Sequence, residues 1–207
     1  ATVAKALGSG RRAEIVDLLG QGERSVEEIA AEIEQSVANT SQHLQQLLRA
    51  GLVSSRRQGN RVLYSLASER VAELWAAVRD VAANYLAEID RLAAAYLGDR
   101  SALQTVTRGQ LAERLRRGDV VLIDVRPQAE FRHGHILGAV SVPIDQFAEQ
   151  MNGLGRDRDI VAYCRGAYCV FADDAVRALV ADGFRAARLE DGFPEWARAG
   201  LPVESTA

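Results

Sequence analysis

The sequence predicts two domains: a mainly α first half with one β-hairpin, then an α/β half with a parallel sheet flanked by helices. Three observations lead there. The spacing of apolar residues changes from helical to strand-and-helix near Gly98. A chain of 207 residues suits one or two cores at about 150 residues each. Hydrophobic residues at 48% and charged residues at 26% are ordinary for globular domains, which weighs against disorder and fibrous repeats.

In the first half, residues 3–19 carry Val3, Leu7, Ile15, Val16, Leu18 and Leu19 at helical spacing, with Gly20 and Gly22 as stops. Ser25 with Glu28 forms a capping box that opens a short helix through Ile33. Ser36 caps a second helix, with Val37, Leu44, Leu47 and Leu48 on one face, which Gly51 ends. LVSSRR, the turn residues QGN and RVLYSL then predict a hairpin. A long helix follows over 68–97, its apolar seam running from Val71 to Tyr96. At 1.5 Å per residue it would be about 45 Å long, too long for so small a domain to bury, so a second copy of the chain is the expected partner.

After a joint at Gly98–Ser101, VVLIDVR (120–126), AVSVP (139–143), DIVAYC (159–164) and AARLEDG (186–192) are strand candidates. Helical stretches lie between them at about 107–117, 144–152 and 168–182, an alternation that predicts the parallel sheet. The expected division is therefore 1–97 and 98–207.

Two short helices joined by a tight turn and followed by a hairpin describe a winged helix-turn-helix. Its polar residues suit DNA. The net charge of −3 argues against coating nucleic acid by bulk charge. Yet residues 35–68 hold four arginines (Arg49, Arg56, Arg57, Arg61) and no acid. Arg56, Arg57 and Arg61 bracket the wing turn and suit phosphate contacts. Asn39, Thr40, Ser41, Gln42 and His43 lie in the first two turns of the second helix, where side chains reach base edges; His43, beside Leu44, also suits a structural place. Residues 4–97, above all SxxHLxxLxxAGLV-like spacing and RRQGNRVLYSL, resemble the ArsR (arsenical-resistance repressor) family. The resemblance implies a homodimer on a double-stranded DNA operator, joined through helix 68–97. The positions where such repressors carry their sensors are empty here: ERSVEEIA has no Cys, and the long helix has no His.

The only two cysteines, Cys164 and Cys169, stand in YCRGAYC between a strand and a helix. They are too few and too close to staple the fold, and they fit a reducing, cytoplasmic compartment. No apolar run approaches a membrane span, and no signal-peptide layout opens the chain. A thiolate at that junction faces backbone N–H groups and a helix N-terminus, with Arg165 adjacent, so its pKa is expected to fall. LIDVRPQAEFRHGHILGAVSVP and DGFPEWARAGLPVE around it make residues 103–204 similar to a rhodanese (sulfurtransferase) domain. That likeness implies that Cys164 accepts sulfane sulfur as a persulfide, cradled by the backbone of Arg165, Gly166, Ala167, Tyr168 and Cys169. Asp124 and Arg126 would be structural, and His133 and His135 part of the fold motif. Phosphatases of this fold need a longer loop with Arg at the sixth position after Cys; Val170 stands there, which disfavours phosphate chemistry. Tyr168 and Cys169 replace the Arg or Lys of thiosulfate-using members.

Cys169 can resolve a persulfide on Cys164 to a disulfide or polysulfide bridge, or pack as a small residue at the helix start. The leading expectation is a one-component transcription regulator sensing sulfane sulfur or redox state through these two cysteines. A small sulfur donor is its expected signal, and no cofactor, metal or membrane is expected. A sulfurtransferase with an accessory DNA-binding domain, or a thiol-based arsenite- or metal-responsive repressor, are the alternatives.

Overall fold

A computed structural model describes residues 1–85, 92 and 95–206. Packing divides the chain into two compact units, Ala1–Leu86 and Ala87–Ala207.

The first unit begins with α1 (Thr2–Leu7) and α2 (Gly10–Leu19). The sequence predicts one helix over 3–19. The chain instead breaks at Gly8 and Ser9, where an extended Ser9 starts the second helix. The strand β1 (Arg24–Ser25) leads into α3 (Val26–Glu32), and then α4 (Val37–Arg49), β2 (Val53–Gln58), β3 (Arg61–Leu66) and α5 (Glu69–Tyr85) follow. The Ser25 hydroxyl accepts the Glu28 N–H at 3.3 Å, and the Glu28 carboxylate accepts the Ser25 N–H at 2.8 Å. Ser36 accepts the N–H of Asn39 at 3.2 Å, so both expected caps form. Because Ser25 is buried, Ser25→Ala is expected to cost about 1 kcal/mol, read as a lower thermal midpoint for the first unit.

The hairpin pairs Gln58 with Arg61 across a Gly59–Asn60 turn, with Gly59 at φ +63°. A third strand was not expected. β1 lies on β3, with Arg24 opposite Tyr64 and Ser25 opposite Leu63. Ile15, Val16, Leu19, Ile29, Leu44, Leu47 and Tyr64 pack into one core beneath. Trp75 Nε1 and Arg79 both donate to Asp17 Oδ1, at 2.7 and 2.8 Å, fixing α5 on α2. Leu74, Val78 and Val81 remain exposed along α5. The remainder of the helix expected over 68–97 falls largely on residues 86–91, 93 and 94, outside the described residues.

In the second unit the order is β4 (Thr105–Val106), α6 (Arg108–Arg117), β5 (Val120–Asp124), α7 (Gln128–His133), β6 (His135–Ile136) and β7 (Val140–Ser141). Then come α8 (Phe147–Gln150), β8 (Asp159–Tyr163), α9 (Phe171–Ala181), β9 (Ala186–Leu189), α10 (Phe193–Arg198) and β10 (Val203–Glu204). The main sheet runs β4-β9-β8-β5-β7 with every pairing parallel. Alternation sends Ile123, Ile160 and Ala162 into a core with Val176 and Leu179 on one face. Leu122, Val161 and Tyr163 join Leu111 and Trp196 on the other. The parallel sheet covered on both faces is as the sequence predicts. The predicted helix at 144–152 is shorter, a four-residue α8 between two 3₁₀ turns. β6 and β10 form a separate antiparallel pair.

Candidate functional site

Parallel sheets place their sites beyond the carboxyl ends of the strands, and β8, the central strand, delivers Cys164 there. Cys164 is buried and Cys169 is partly buried. The two are joined as a disulfide with Cα atoms 6.3 Å apart, inside the ordinary span for such a bond. The loop turns back on itself, the Cys169 N–H donating to the Gly166 carbonyl at 3.1 Å. Helix α9 starts at Phe171, three residues later than the sequence predicts, because residues 165–170 are used by this turn.

Neighbouring elements hold the loop from three sides. Phe193 N–H donates to the Cys164 carbonyl at 3.0 Å. A Cβ on Gly192 would lie 2.3 Å from the Gly166 nitrogen and 2.4 Å from the Arg165 carbonyl carbon, both backbone atoms. Gly192→Ala therefore has to displace the Cys loop; the expected result is loss of the Cys164–Cys169 bond, read by thiol trapping, at a cost of about 1–3 kcal/mol or more in stability. Glu195 accepts the Gly192 N–H at 3.1 Å. The Arg165 guanidinium grips buried Glu130, its shortest contact 2.6 Å.

Beneath the loop, Asp124 and Arg126 are fully buried and paired at 2.6 Å. Arg126 also donates to the Gly134 carbonyl at 2.7 Å and stacks 4.3 Å over the Phe193 ring. Burial works against its charge, but the hydrogen bond and charge of Asp124 prevail and hold its pKa above the usual value. Burial, then the charge of Asp124, pushes the Tyr163 phenol far up, so it stays protonated while accepting the Ile136 N–H at 3.1 Å. His135 is buried, its Nδ1 2.8 Å from the Phe131 carbonyl and its Nε2 3.2 Å from Glu204, while His133 is exposed. Both histidines lie in the scaffold around β6.

On the far side of the loop stands a cluster that sequence reasoning missed. Asp173, buried in the first turn of α9, pairs with Arg188 from β9 at 2.9 Å, a contact too bent for a hydrogen bond. It also pairs closely with Arg100. Arg100 donates to the Ala167 carbonyl at 2.8 Å and reaches the Cys169 carbonyl at 3.5 Å; Arg188 reaches the Ala167 carbonyl at 3.4 Å. Burial, reinforced by the charge of Arg100, lowers the Arg188 pKa from its usual value. No motif marks these residues, since they are separated by 73 and 15 positions. Ala167 and Tyr168 are exposed at the rim.

In the first unit α4 exposes Asn39 and Gln42, with Ser41 and His43 partly buried. Thr40 corrects the sequence reading. It is fully buried and its hydroxyl donates to the Ser36 carbonyl at 3.0 Å, so it bonds back into its own helix rather than facing DNA. Gln45, which the reading left out, is exposed one turn beyond. His43 Nδ1 is shielded from solvent without a hydrogen-bond partner among the described residues. Arg57 projects from the wing, whereas Arg56 pairs with Glu23 and Arg61 lies 4.0 Å from Glu28. Among the described residues no three His, Cys, Asp or Glu side chains gather as a metal site, and no helix is long and apolar enough to cross a membrane.

Comparison with known proteins agrees with both units. Residues 9–55 match the family of bacterial regulatory proteins of the arsR type, and residues 107–199 match the rhodanese-like domain. The HTH-type transcriptional regulator Rv0324 of Mycobacterium tuberculosis is 49% identical over all 207 residues, which span 91% of that protein. A sulfurtransferase of Allochromatium vinosum is 36% identical over 86 residues, 41% of this chain and 78% of the enzyme. The homodimeric winged helix-turn-helix domain of a possible ArsR-family regulator from Mycobacterium bovis, solved by NMR, is 48% identical with a TM-score of 0.41, covering 42% of this chain and 82% of that one. The chain belongs to the ArsR family of helix-turn-helix transcriptional regulators, with a rhodanese-like domain as its second half.

Proposed function

We propose that this regulator is a homodimeric one-component sensor of sulfane sulfur. In this reading residues 1–97 bind the operator and pair the two copies, and residues 98–207 receive the signal. One observation carries it: both cysteines of the chain lie in one loop at the end of the central strand, close enough to be bonded. With the loop reduced, the Cys164 thiolate attacks a hydropolysulfide, forming Cys164–S–S⁻ and releasing the shortened polysulfide. The outer sulfur takes a proton from water to give Cys164–S–SH, and the Cys169 thiolate then attacks Sγ of Cys164 and expels hydrosulfide. The dithiol loses two electrons to the transferred sulfur, which leaves as HS⁻, and the protein ends as the disulfide.

Arg165 is committed to Glu130, which favours neutral or singly charged polysulfide donors over dianionic thiosulfate. The oxidised loop then weakens operator binding. Mobility-shift assays on wild type, Cys164→Ser and Cys169→Ser, with and without polysulfide, test the reading. The expected result is release by polysulfide in wild type alone; donor-insensitive affinity in all three would refute it. The resemblance to a sulfurtransferase supports a second reading, steady sulfur transfer to an external acceptor, for which turnover with cyanide is the assay.

On the DNA side, Asn39, Ser41, Gln42 and His43 are assigned to the groove and Arg56, Arg57 and Arg61 to the backbone. Gln42→Ala is expected to cost about 1–3 kcal/mol on the operator and little on random DNA. Arg57→Ala is expected to weaken both alike and to reduce the salt slope by about one. Anisotropy titrations at several salt concentrations separate the two.

A further inference from the structure

The segment Gly98–Ser101 lies near the start of the second unit, ahead of its first strand β4, on the stretch of chain that leads from the DNA-binding half into the rhodanese-like core. It is tied to the Cys loop. Arg177 donates to the Asp99 carbonyl at 3.2 Å, and Asp99 caps Ser101 N–H at 2.8 Å. Arg100, between them, pairs with buried Asp173 and donates to the carbonyls of Ala167 and Cys169, the last of these belonging to one of the two cysteines. A guanidinium is planar, so three partners fix its orientation closely. Asp173 and Arg188 are held in the fold by α9 and β9, whereas the two carbonyls belong to the loop that changes covalent state. The only group in this cluster that belongs to the connecting segment is Arg100.

We infer that Arg100 is the coupling residue of the sensor: it reads the position of the Ala167 and Cys169 carbonyls and passes the sulfur state of the loop to the segment entering from the DNA-binding half. This rests on the sensing reading above. Forming the Cys164–Cys169 bond, with two electrons passing to the donor sulfur and hydrosulfide leaving, seats both carbonyls on Arg100 and fastens residues 98–101 to α9. Reduction frees the Cys169 end of the loop, and Arg100 keeps only Asp173.

Wild type, Arg100→Ala and Arg100→Lys are compared as full-length proteins. Thiol trapping reads the loop and operator affinity reads the output, each before and after a hydropolysulfide. In wild type the donor is expected to weaken operator binding by a factor in the range of about 5–150 usual for allosteric coupling. In Arg100→Ala the disulfide still forms, because Arg188 and Asp173 remain, but affinity changes by less than about twofold on the same scale. Arg100→Lys keeps the charge beside Asp173 without the planar fork and lies between. Hydrogen exchange in the wild type supplies a measurement independent of any variant: amides of 98–103 exchange more slowly in the oxidised protein. An unresponsive wild type refutes the sensing reading itself. A wild type that responds, with an equal response in Arg100→Ala, overturns the coupling role alone. If Arg100→Ala does not fold, identical exchange at 98–103 in both states of the wild type overturns it.

Discussion

Arg126→Ala is expected to destabilise the second unit strongly and to leave the first unit unchanged. Arg126 and Asp124 are both without solvent exposure, and Arg126 answers the Asp124 carboxylate, the Gly134 carbonyl and the Phe193 ring together. Truncation leaves a carboxylate buried without its cation, a loss of about 3–5 kcal/mol. That is a large share of the roughly 5–15 kcal/mol by which a domain is stable. Phe193, whose N–H holds the Cys164 carbonyl, loses the guanidinium stacked on it, so the Cys loop loosens with the scaffold. Thermal unfolding followed by circular dichroism is expected to show one transition shifted strongly down and the other unchanged. Replacing both partners, Asp124→Leu with Arg126→Met, is expected to cost less than Arg126→Ala, because no charge is then stranded.

Cys164→Ser and Cys169→Ser separate the two steps of the loop chemistry. Cys164→Ser removes the nucleophile, so the loop gains no sulfur from polysulfide, and operator affinity loses all of a response expected to be about 5–150-fold in wild type. Cys169→Ser still accepts sulfur but has no thiol with which to resolve it. The expected product is a stable gain of one sulfur atom at Cys164, seen by mass spectrometry of the 164–169 peptide. Its operator affinity is expected to stay near the reduced value, because the carbonyl of residue 169 is not drawn in by a disulfide.

Much of this was legible in the sequence, for identifiable reasons. The capping box at Ser25 and Glu28, the hairpin and four of the five strands of the parallel sheet are local signals: spacing, caps and turn residues lie within a few positions of one another. The cysteine loop was legible because its two thiols are five residues apart. What escaped depends on distant pairing. β1 has two residues and no alternation to read, yet its pairing with β3 brings Glu23, just before it, and Glu28, in the first turn of α3, beside the wing, where they answer Arg56 and Arg61. A window over 35–68 counts four arginines and no acid, and misses these partners by a dozen positions or less. Thr40 departs from expectation for a different reason. A helix of 3.6 residues per turn puts position 40 on the face of Leu44 and Leu47, so its place is set by that geometry and not by its polarity. Arg100, Asp173 and Arg188 meet only because the parallel sheet brings β9 and α9 beside the chain segment that precedes β4.

Operator affinity is expected to follow the sulfur state of one loop. The direct test titrates a single sample of wild-type protein with hydropolysulfide, measuring operator anisotropy and the fraction of Cys164–Cys169 disulfide at each step. The two curves are expected to coincide, and a dithiol reductant to reverse both together. Complete formation of the disulfide with operator affinity unchanged throughout would contradict it.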